Sequence, residues 1–232
     1  MIRNYNDFIE TLMKAGFSMG GGSDDGIYAV IDWGWTESPP YDTPVAWHTG
    51  DYDSDPWEWR IRVLDERTDI AYAKLFFKKS GFITKDWYHY FLAARRGGST
   101  FEEAYEAGTI SHFAKRIYDV VTTYGVLASH EIKQMAGFSK EDKSAFDRAL
   151  TELQMGMFIT TCGARQKISQ TGEEYGWSSI VFCATEQFFG KEVFEKAAGI
   201  SKDEAYEVIR GQILKLNPAT EEKMIGKFVF GR

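Results

Sequence analysis

One stretch decides the fold; it reads HFAKRIYDVV (112–121), SHEIKQM (129–135), SKEDKSAFDRAL (139–150), MFITT (157–161) and SSIVFC (178–183). Apolar residues recur at helical spacing in the first segment, and Ser129 and Ser139 stand where two short helices would be capped. The last two segments are β-like runs, which predict a hairpin. Helices followed by a hairpin in this order predict a winged helix, and helix-turn-helix units bind nucleic acid. The same elements could instead form only a packing or dimerisation module, because fold does not imply function.

The segment that begins at Ser139 would be the recognition helix of this winged helix. Ser139 and Asp142 have the spacing of a capping box, with Asp142 in place of the usual Glu. Four apolar residues share one face at 100° per residue and would point to the core: Phe146, Ala149, Leu150 and Leu153. The outer face offers four candidates for base or phosphate contact: Lys140, Ser144, Arg148 and Thr151. Three acids on that face leave it with a net charge of −1. Further positive charge must therefore come from elsewhere.

The charge of the chain is unevenly distributed. Its net value of −7 argues against nucleic acid, since phosphate contacts carry much of DNA affinity. Residues 24–66 hold eleven acidic and two basic side chains, whereas residues 74–96 hold six basic and one acidic. Arg165 and Lys167 lie between the two β-like runs, where a wing would touch the DNA backbone. The sequence thus predicts DNA contacts at ten positions: Lys74, Lys78, Lys79, Arg95, Arg96, Lys140, Ser144, Arg148, Arg165 and Lys167.

The pattern of helical and β-like segments along the chain predicts an α+β protein that is mostly helical. The 232 residues allow one large domain or two small ones, and Gly97–Ser99 is the best internal boundary. We expect a helical and extended N-terminal region (1–98), which could hold a second, divergent winged helix. A winged-helix domain (99–185) and C-terminal helices packed on the body (186–232) would follow.

The cellular context is predicted from what the chain lacks. No apolar run approaches the roughly 20 residues of a membrane span, and no signal peptide is recognisable at the N-terminus. Cys162 and Cys183 form neither a disulfide framework nor a zinc pattern. We expect a soluble, cytoplasmic protein with DNA as its partner, no membrane partner, no cofactor and no metal, and we predict no oligomeric state.

The remaining regions carry coarser predictions. A first helix capped by Asn6 or Asp7 should end near Gly16, and Ile27–Ile31 is strand-like. Residues 34–56 hold four of the five prolines and are rich in tryptophan, which predicts an ordered arm packed on the body. The pattern from Trp57 to Arg95 is mainly helical, including the apolar cluster of residues 70–77. Helices over 188–198 and 203–216 should end the chain.

Familiar site motifs are absent or incomplete. The Gly20–Gly26 run lacks the Lys-Ser/Thr of a phosphate loop and precedes a strand-like run, so a turn is the better interpretation. Asp51-Tyr-Asp53-Ser-Asp55 resembles a calcium loop, but Pro56 and Arg62 occupy the positions that need Gly and Glu. The sequence has no HExxH and no GxSxG motif.

Two composite patterns resemble a bacterial family. Asp55-Pro-Trp-Glu-Trp-Arg60, with Ala71-Tyr-Ala-Lys74 and Gly81-Phe-Ile-Thr-Lys-Asp-Trp-Tyr88 after it, is similar to AlkZ-related sequences. So is Ala149-Leu-Thr-Glu-Leu-Gln154, followed by Glu174-Tyr-Gly-Trp-Ser178. The wider AlkZ and YcaQ proteins are built from tandem winged helices, and several are DNA glycosylases that excise alkylated bases or unhook interstrand crosslinks. The resemblance covers most of the chain and implies a winged-helix fold and a link to DNA repair.

The catalytic signature of those glycosylases is Gln, a hydrophobic residue, and then Gln or Asp. Every glutamine departs from it at the third position: Gln134, Gln154, Gln166, Gln170, Gln187 and Gln212. The resemblance therefore transfers no catalytic residue, and whether the protein is an enzyme stays open.

Three functional hypotheses follow. The first is binding of damaged or structured DNA without the glycosylase chemistry, with aromatic residues stacking on or wedging between bases: Trp57, Trp59, Trp87 and Tyr88. The second is a divergent glycosylase that uses carboxylates of the arm: Asp51, Asp53, Asp55 and Glu58. The third gives the winged helix a scaffold role, while the acidic arm, with Trp33 and Trp47, binds a protein or small ligand.

Overall fold

The computed structural model describes residues 1–22, 26–168 and 171–231. The helices in this part of the chain are α1 (Tyr5–Ala15), α2 (Pro56–Glu66), α3 (Lys85–Arg96), α4 (Phe101–Glu106), α5 (His112–Tyr124), α6 (Ser129–Met135), α7 (Lys143–Met155), α8 (Thr185–Phe189), α9 (Lys191–Ala198), α10 (Lys202–Leu216) and α11 (Glu222–Phe230). The strands are β1 (Phe17–Met19), β2 (Ile70–Phe76), β3 (Lys79–Thr84), β4 (Leu127–Ala128), β5 (Ile159–Ile168) and β6 (Glu174–Ala184). The α+β class expected from the sequence is found.

One antiparallel sheet runs in the order β1–β3–β2–β5–β6–β4. It joins two hairpins, β2–β3 and β5–β6, through a single pairing of Tyr72 on β2 with Thr161 on β5. Strands almost ninety residues apart in the chain therefore become neighbours. This junction brings the basic segment of the sequence beside the helices that precede β5.

The helices and hairpin expected between residues 112 and 183 are present, in the order α5, β4, α6, α7, β5, β6. Their apolar residues form one core, which includes Ile117, Ile132 and Leu153. α7 begins at Lys143 rather than at Ser139. The N–H and O–H of Ser139 both donate to the Asp142 carboxylate (2.8 and 2.7 Å), so residues 139–142 form a turn that leads into the helix.

The helical prediction for residues 70–77 is wrong, because this segment is strand β2. Apolar residues lie on both faces of β2: Ala73 and Leu75 enter one core while Ile70 enters another, although Lys74 is exposed. The alternation that marks a half-buried strand is therefore lost. The turn into β3 also lacks the usual glycine or asparagine, although Phe77 and Lys78 have φ angles of 51° and 62°. Gly81 does not break the segment; it lies within β3, where a Cβ would meet the Phe76 ring at 2.5 Å.

Smaller differences concern loops and helix ends. The strand predicted at Ile27–Ile31 reduces to one bridge between Ala29 and Met19, since Val30 N–H donates instead to the Ser18 hydroxyl. The first helix ends at Gly16 as expected, but its N-cap is Asn4 rather than Asn6 or Asp7, and the Asn4 side chain accepts the N–H of Asp7. Gly190, with φ 74°, divides the helix predicted over 188–198. Helix α11 is not predicted from the sequence.

Three apolar cores surround the sheet. The largest lies between β2–β3, α3 and the C-terminal helices, the second within α4–β6, and the third beneath α1, α2 and the arm. The arm (34–56) packs on the body as predicted, with Val45 1% exposed and the preceding Trp33 3% exposed. Within the described residues, no helix combines the length and apolarity that crossing a membrane requires. The proposed division at residues 98 and 185 stays a prediction.

Candidate functional site

A cleft of about 970 Å³ lies between the β2–β3 hairpin and α7. We call it the cationic cleft. Its lining includes five cationic residues. One of them, Arg95, donates to backbone carbonyls inside the protein, and the other four are separated by up to 74 residues in the sequence: Lys74, Lys78, Lys143 and Arg148. Ser144 lies on the same wall, and Thr109, Ile110 and Gly231 close the cleft from other elements. Five of the ten predicted contact residues thus line one cleft: Lys74, Lys78, Arg95, Ser144 and Arg148.

Gln154 holds the two walls of the cationic cleft together. Its side chain is 4% exposed, and its Oε1 accepts the backbone N–H of Lys74 at 2.9 Å. Its Nε2 donates to the carbonyl of Leu150 one turn earlier in α7 (3.0 Å). The Lys74 ammonium also reaches the Thr151 hydroxyl at 3.5 Å. The C-terminal half of α7 is therefore fixed against β2, while its first turns stay exposed.

The charges of the cationic cleft are mixed. Its three acids are Glu141, Asp147 and Glu152. Glu152 already accepts the N–H and O–H of Ser111 (both 2.7 Å), which ties α5 to α7. None of the four cations takes part in an ion pair within the described residues. The cleft thus presents four cationic side chains that can bind an external anion.

Lys143 was missed by the sequence analysis. The helix was expected to begin at Ser139, which left Lys143 outside the candidate face. The available signal was Asp142, a good N-cap residue directly before Lys143.

Arg95 and Arg96 have partners inside the protein. The three nitrogens of the Arg95 guanidinium donate to the carbonyls of Val229, Met155 and Phe228, each at 2.9 Å. These bonds join α3 to the ends of α7 and α11. Burial lowers the pKa of Arg95 to about 10, which leaves it protonated at neutral pH. Arg96 is 11% exposed, pairs with Glu186 at 3.0 Å and lies over the Phe158 ring. The structure gives both residues a role in packing.

The other predicted contacts lie apart from the cationic cleft. Lys140 is exposed in the turn before α7. Arg165 on β5 pairs with Glu131 of α6 at 3.0 Å. Lys167 lies near the tip of the β5–β6 hairpin, opposite Tyr175. Lys79 lines a different cavity, although it follows Lys78 directly.

This second cavity measures about 590 Å³ and lies between the arm, α2 and the β2–β3 hairpin. We call it the tryptophan cavity, because three indoles line it: Trp35, Trp47 and Trp57. Trp35 is 69% exposed and Trp57 is 40% exposed, which is unusual for the largest apolar side chain. Its polar lining comprises Thr36, Glu37, His48, Arg60, Tyr72, Lys79 and Ser80.

Asp55 organises the wall of the tryptophan cavity. Its carboxylate is fully buried and accepts three backbone N–H groups, those of His48 (3.0 Å), Gly50 (2.9 Å) and Trp57 (2.8 Å). The bond to Trp57 caps α2, and the other two hold the preceding loop. His48 has a φ of 61°, a strained value that residues other than glycine seldom adopt. Its ring lies 4.8 Å from the Trp57 ring and 5.3 Å from the Trp35 ring, measured between centroids.

Arg60 lies one turn beyond Trp57 on α2. Its guanidinium carbon stands 3.6 Å from the centroid of the Trp57 ring. Its Nε is buried and has no hydrogen-bond partner. Within the described ranges Arg60 makes no ion pair. The i, i+3 spacing of Trp57 and Arg60 was the sequence signal for this pair.

Of the four aromatic residues predicted to contact bases, Trp57 lines the tryptophan cavity, and the other three line neither of the two cavities described above. Trp59 and Tyr88 are 1% and 0% exposed and belong to the cores. Trp87 is half-buried, and its ring packs edge-on against Phe17 at 5.4 Å. The middle of the Gly20–Gly26 run, residues 23–25, lies outside the described residues.

Asp51 and Asp53 of the arm have partners within the protein. Asp51 accepts the N–H groups of Asp53 and Ser54 (3.0 and 2.8 Å). Asp53 faces Arg62 at 3.5 Å. In the described parts of the chain, no group of three His, Cys, Asp or Glu side chains is arranged to hold a metal ion.

Comparison with known proteins gives one match. A family model described as AlkZ related matches residues 2–230, nearly the whole chain. No curated protein and no solved structure matches significantly. The match covers both clefts and all three cores, in agreement with the resemblance seen in the sequence. The chain belongs to the AlkZ-related family.

Proposed function

We propose that this protein binds DNA through the cationic cleft and acts in a DNA-repair context without the glycosylase motif of its wider relatives. One observation carries the proposal: Lys74 and Lys78 of the hairpin line the same cleft as Lys143 and Arg148 of α7. Four cations without described ion pairs suit the phosphate backbone, which accepts such contacts in any sequence. Family membership supports the link to DNA repair.

The proposal includes a winged helix over residues 112–184. In this interpretation α6 and α7 form the helix-turn-helix and β5–β6 forms the wing. The pairing of β4 with β6, through Leu127–Phe182 and Ala128–Val181, supports it. α7 would be the recognition helix, and its exposed first turns carry Lys143, Ser144 and Arg148. The β2–β3 hairpin would then add Lys74 and Lys78 to the edge of the recognition surface.

The charge of the cleft sets the expected strength of binding. Four phosphate contacts give a slope of about −3.6 for log K against log salt concentration. Asp147 and Glu141 oppose the attraction on the same wall. We therefore expect binding that is clear at low salt and weak at physiological salt.

Fluorescence anisotropy with duplex, bubble and abasic oligonucleotides at several salt concentrations tests the proposal. Replacing Arg148 with Gln should lower the salt slope by about 0.9, since one phosphate contact is lost. The matched control is Lys191→Gln on α9, an exposed lysine remote from both cavities. Undetectable binding at low salt, or equal effects of the two substitutions, would contradict the proposal.

The two other hypotheses differ in their support. The hypothesis of a divergent glycosylase receives no support from Asp51, Asp53 or Asp55. Their carboxylates already contact backbone N–H groups or Arg62. Ligand binding by the arm gains a specific observation, the tryptophan cavity. That cavity lies apart from the cationic cleft and can be tested separately.

A further inference from the structure

We propose that the tryptophan cavity binds a planar heteroaromatic ring that carries a phosphate. A nucleoside monophosphate has this chemistry, either free or as an unpaired nucleotide of a DNA strand. The inference goes beyond the proposed function and does not depend on it, because the cationic cleft supplies none of the residues involved.

The size and lining of the cavity suit a flat ring. Its volume of about 590 Å³ lies within the range of small-molecule sites, about 300–1,000 Å³. Trp35 and Trp57 keep much of their surface exposed at its edge, and aromatic faces are the usual stacking platforms for bases. Gly21 allows Trp47 to approach closely, since a Cβ there would stand 2.3 Å from the indole ring.

Hydrogen bonds within the protein hold the walls of the cavity. Asp55 fixes both the His48 loop and the start of α2, and the Trp47 indole N–H donates to the carbonyl of Trp33 at 3.2 Å. The strained backbone of His48 places its ring between those of Trp35 and Trp57. Strain held in place by surrounding bonds is common at functional sites.

The polar lining favours an anionic ligand. A cationic ligand would be repelled by Arg60, whose guanidinium lies over the Trp57 ring, and by Lys79. The one carboxylate of the lining, Glu37, accepts the N–H of Gly34 at 2.5 Å. Arg60 lines the cavity and makes no ion pair within the described residues. A phosphate oxygen would accept a charge-assisted hydrogen bond from its guanidinium.

The test is calorimetric titration of the full chain with dAMP, deoxyadenosine and deoxyribose 5-phosphate. Oligonucleotides with and without one unpaired nucleotide form a second arm. We expect saturable binding of dAMP or of the bulged oligonucleotide, tighter than that of either half of the nucleotide. Binding of dAMP alone assigns the ligand as a free nucleotide, and preference for the bulge assigns it to a DNA strand.

Two substitutions locate the binding. Trp35→Ala should weaken it about tenfold, the change expected when one base–indole stack is lost. Arg60→Met should weaken it by at least as much and remove the advantage of dAMP over deoxyadenosine. Tyr124→Ala removes an aromatic side chain that is 63% exposed at the end of α5 and should change nothing.

Three results would overturn the inference. They are no saturable binding at millimolar ligand, equal binding of deoxyribose 5-phosphate and dAMP, or unchanged affinity in the folded Trp35→Ala protein. None of these results bears on the salt dependence of duplex binding, which tests the cationic cleft. Failure of this inference can therefore be distinguished from failure of the proposed function.

Discussion

The cationic cleft and the tryptophan cavity both use the β2–β3 hairpin but are built from different kinds of backbone. The first lies between a helix and a strand, so its side chains follow the period of regular elements. The second lies mostly between loops, where Asp55 and other side chains replace the hydrogen bonds of helices and strands. The comparison teaches that periodicity can identify a site on regular elements, whereas a site on loops depends on particular hydrogen bonds.

The largest expected effect comes from replacing Asp55, which should abolish binding at the tryptophan cavity but not at the cationic cleft. Asp55→Ala removes the acceptor of three N–H groups and should lower the free energy of unfolding by about 2–4 kcal/mol. Ligand binding in the tryptophan cavity should be lost, whereas duplex binding should persist. Chemical denaturation and the two binding assays measure this.

The control for Asp55 is Asp51→Ala in the same loop. Asp51 also accepts backbone N–H groups, but it is exposed, so its loss should matter less. Similar stability losses for the two variants would show that burial of Asp55 is not the source of its effect.

An intermediate effect is expected at Gln154, which joins the walls of the cationic cleft. Gln154→Ala leaves the N–H of Lys74 without its acceptor and should cost about 1–2 kcal/mol of stability. Duplex affinity should fall although no charge is removed, because the hairpin lysines lose their position beside α7. Denaturation and anisotropy on the same preparation test both statements.

Gln212→Ala is the matched control for Gln154. Its amide donates to the carbonyl of Ala15 at 2.8 Å and so joins α10 to α1, away from the cleft. We expect lower stability with unchanged duplex affinity. A loss of affinity as large as that of Gln154→Ala would mean that general destabilisation explains both.

The smallest effect compares two consecutive residues of the hairpin. Lys78→Gln should weaken duplex binding about two- to fivefold, as for the loss of one exposed ion pair of about 0.5–1 kcal/mol. Lys79→Gln should leave duplex binding unchanged, because Lys79 lines the tryptophan cavity. Anisotropy at low salt resolves this difference. Equal losses of duplex affinity in the two variants would show that both cavities belong to one DNA-binding surface.

Much of the cationic cleft could be predicted from the sequence. Ser144 and Arg148 were found from the helical face, and Lys74 and Lys78 from the local charge. Their meeting could not be predicted, because it depends on the pairing of Tyr72 with Thr161 and on the bond from Lys74 to Gln154. Arg95 and Arg96 look equally basic in the sequence, but burial against carbonyls and Glu186 gives them other partners.

The tryptophan cavity was only partly predictable. The abundance of tryptophan in the arm indicated packing on the body, which Trp33 confirms. The strained backbone of His48 carries no local sequence signal, because it is held by a hydrogen bond to Asp55, seven residues further along the chain.

The sequence by itself determined the three helices and the hairpin between His112 and Ala184, although not strand β4 or the start of α7. Through its composite motifs it also determined membership of the AlkZ-related family. These follow from local properties: apolar period, capping residues and short patterns. The tertiary structure alone decided that residues 70–84 form a hairpin, that this hairpin stands beside α7, and that a buried Asp55 shapes an aromatic cavity. The physical reason is that a strand with apolar residues on both faces and a loop held by side chains carry no clear periodic signal.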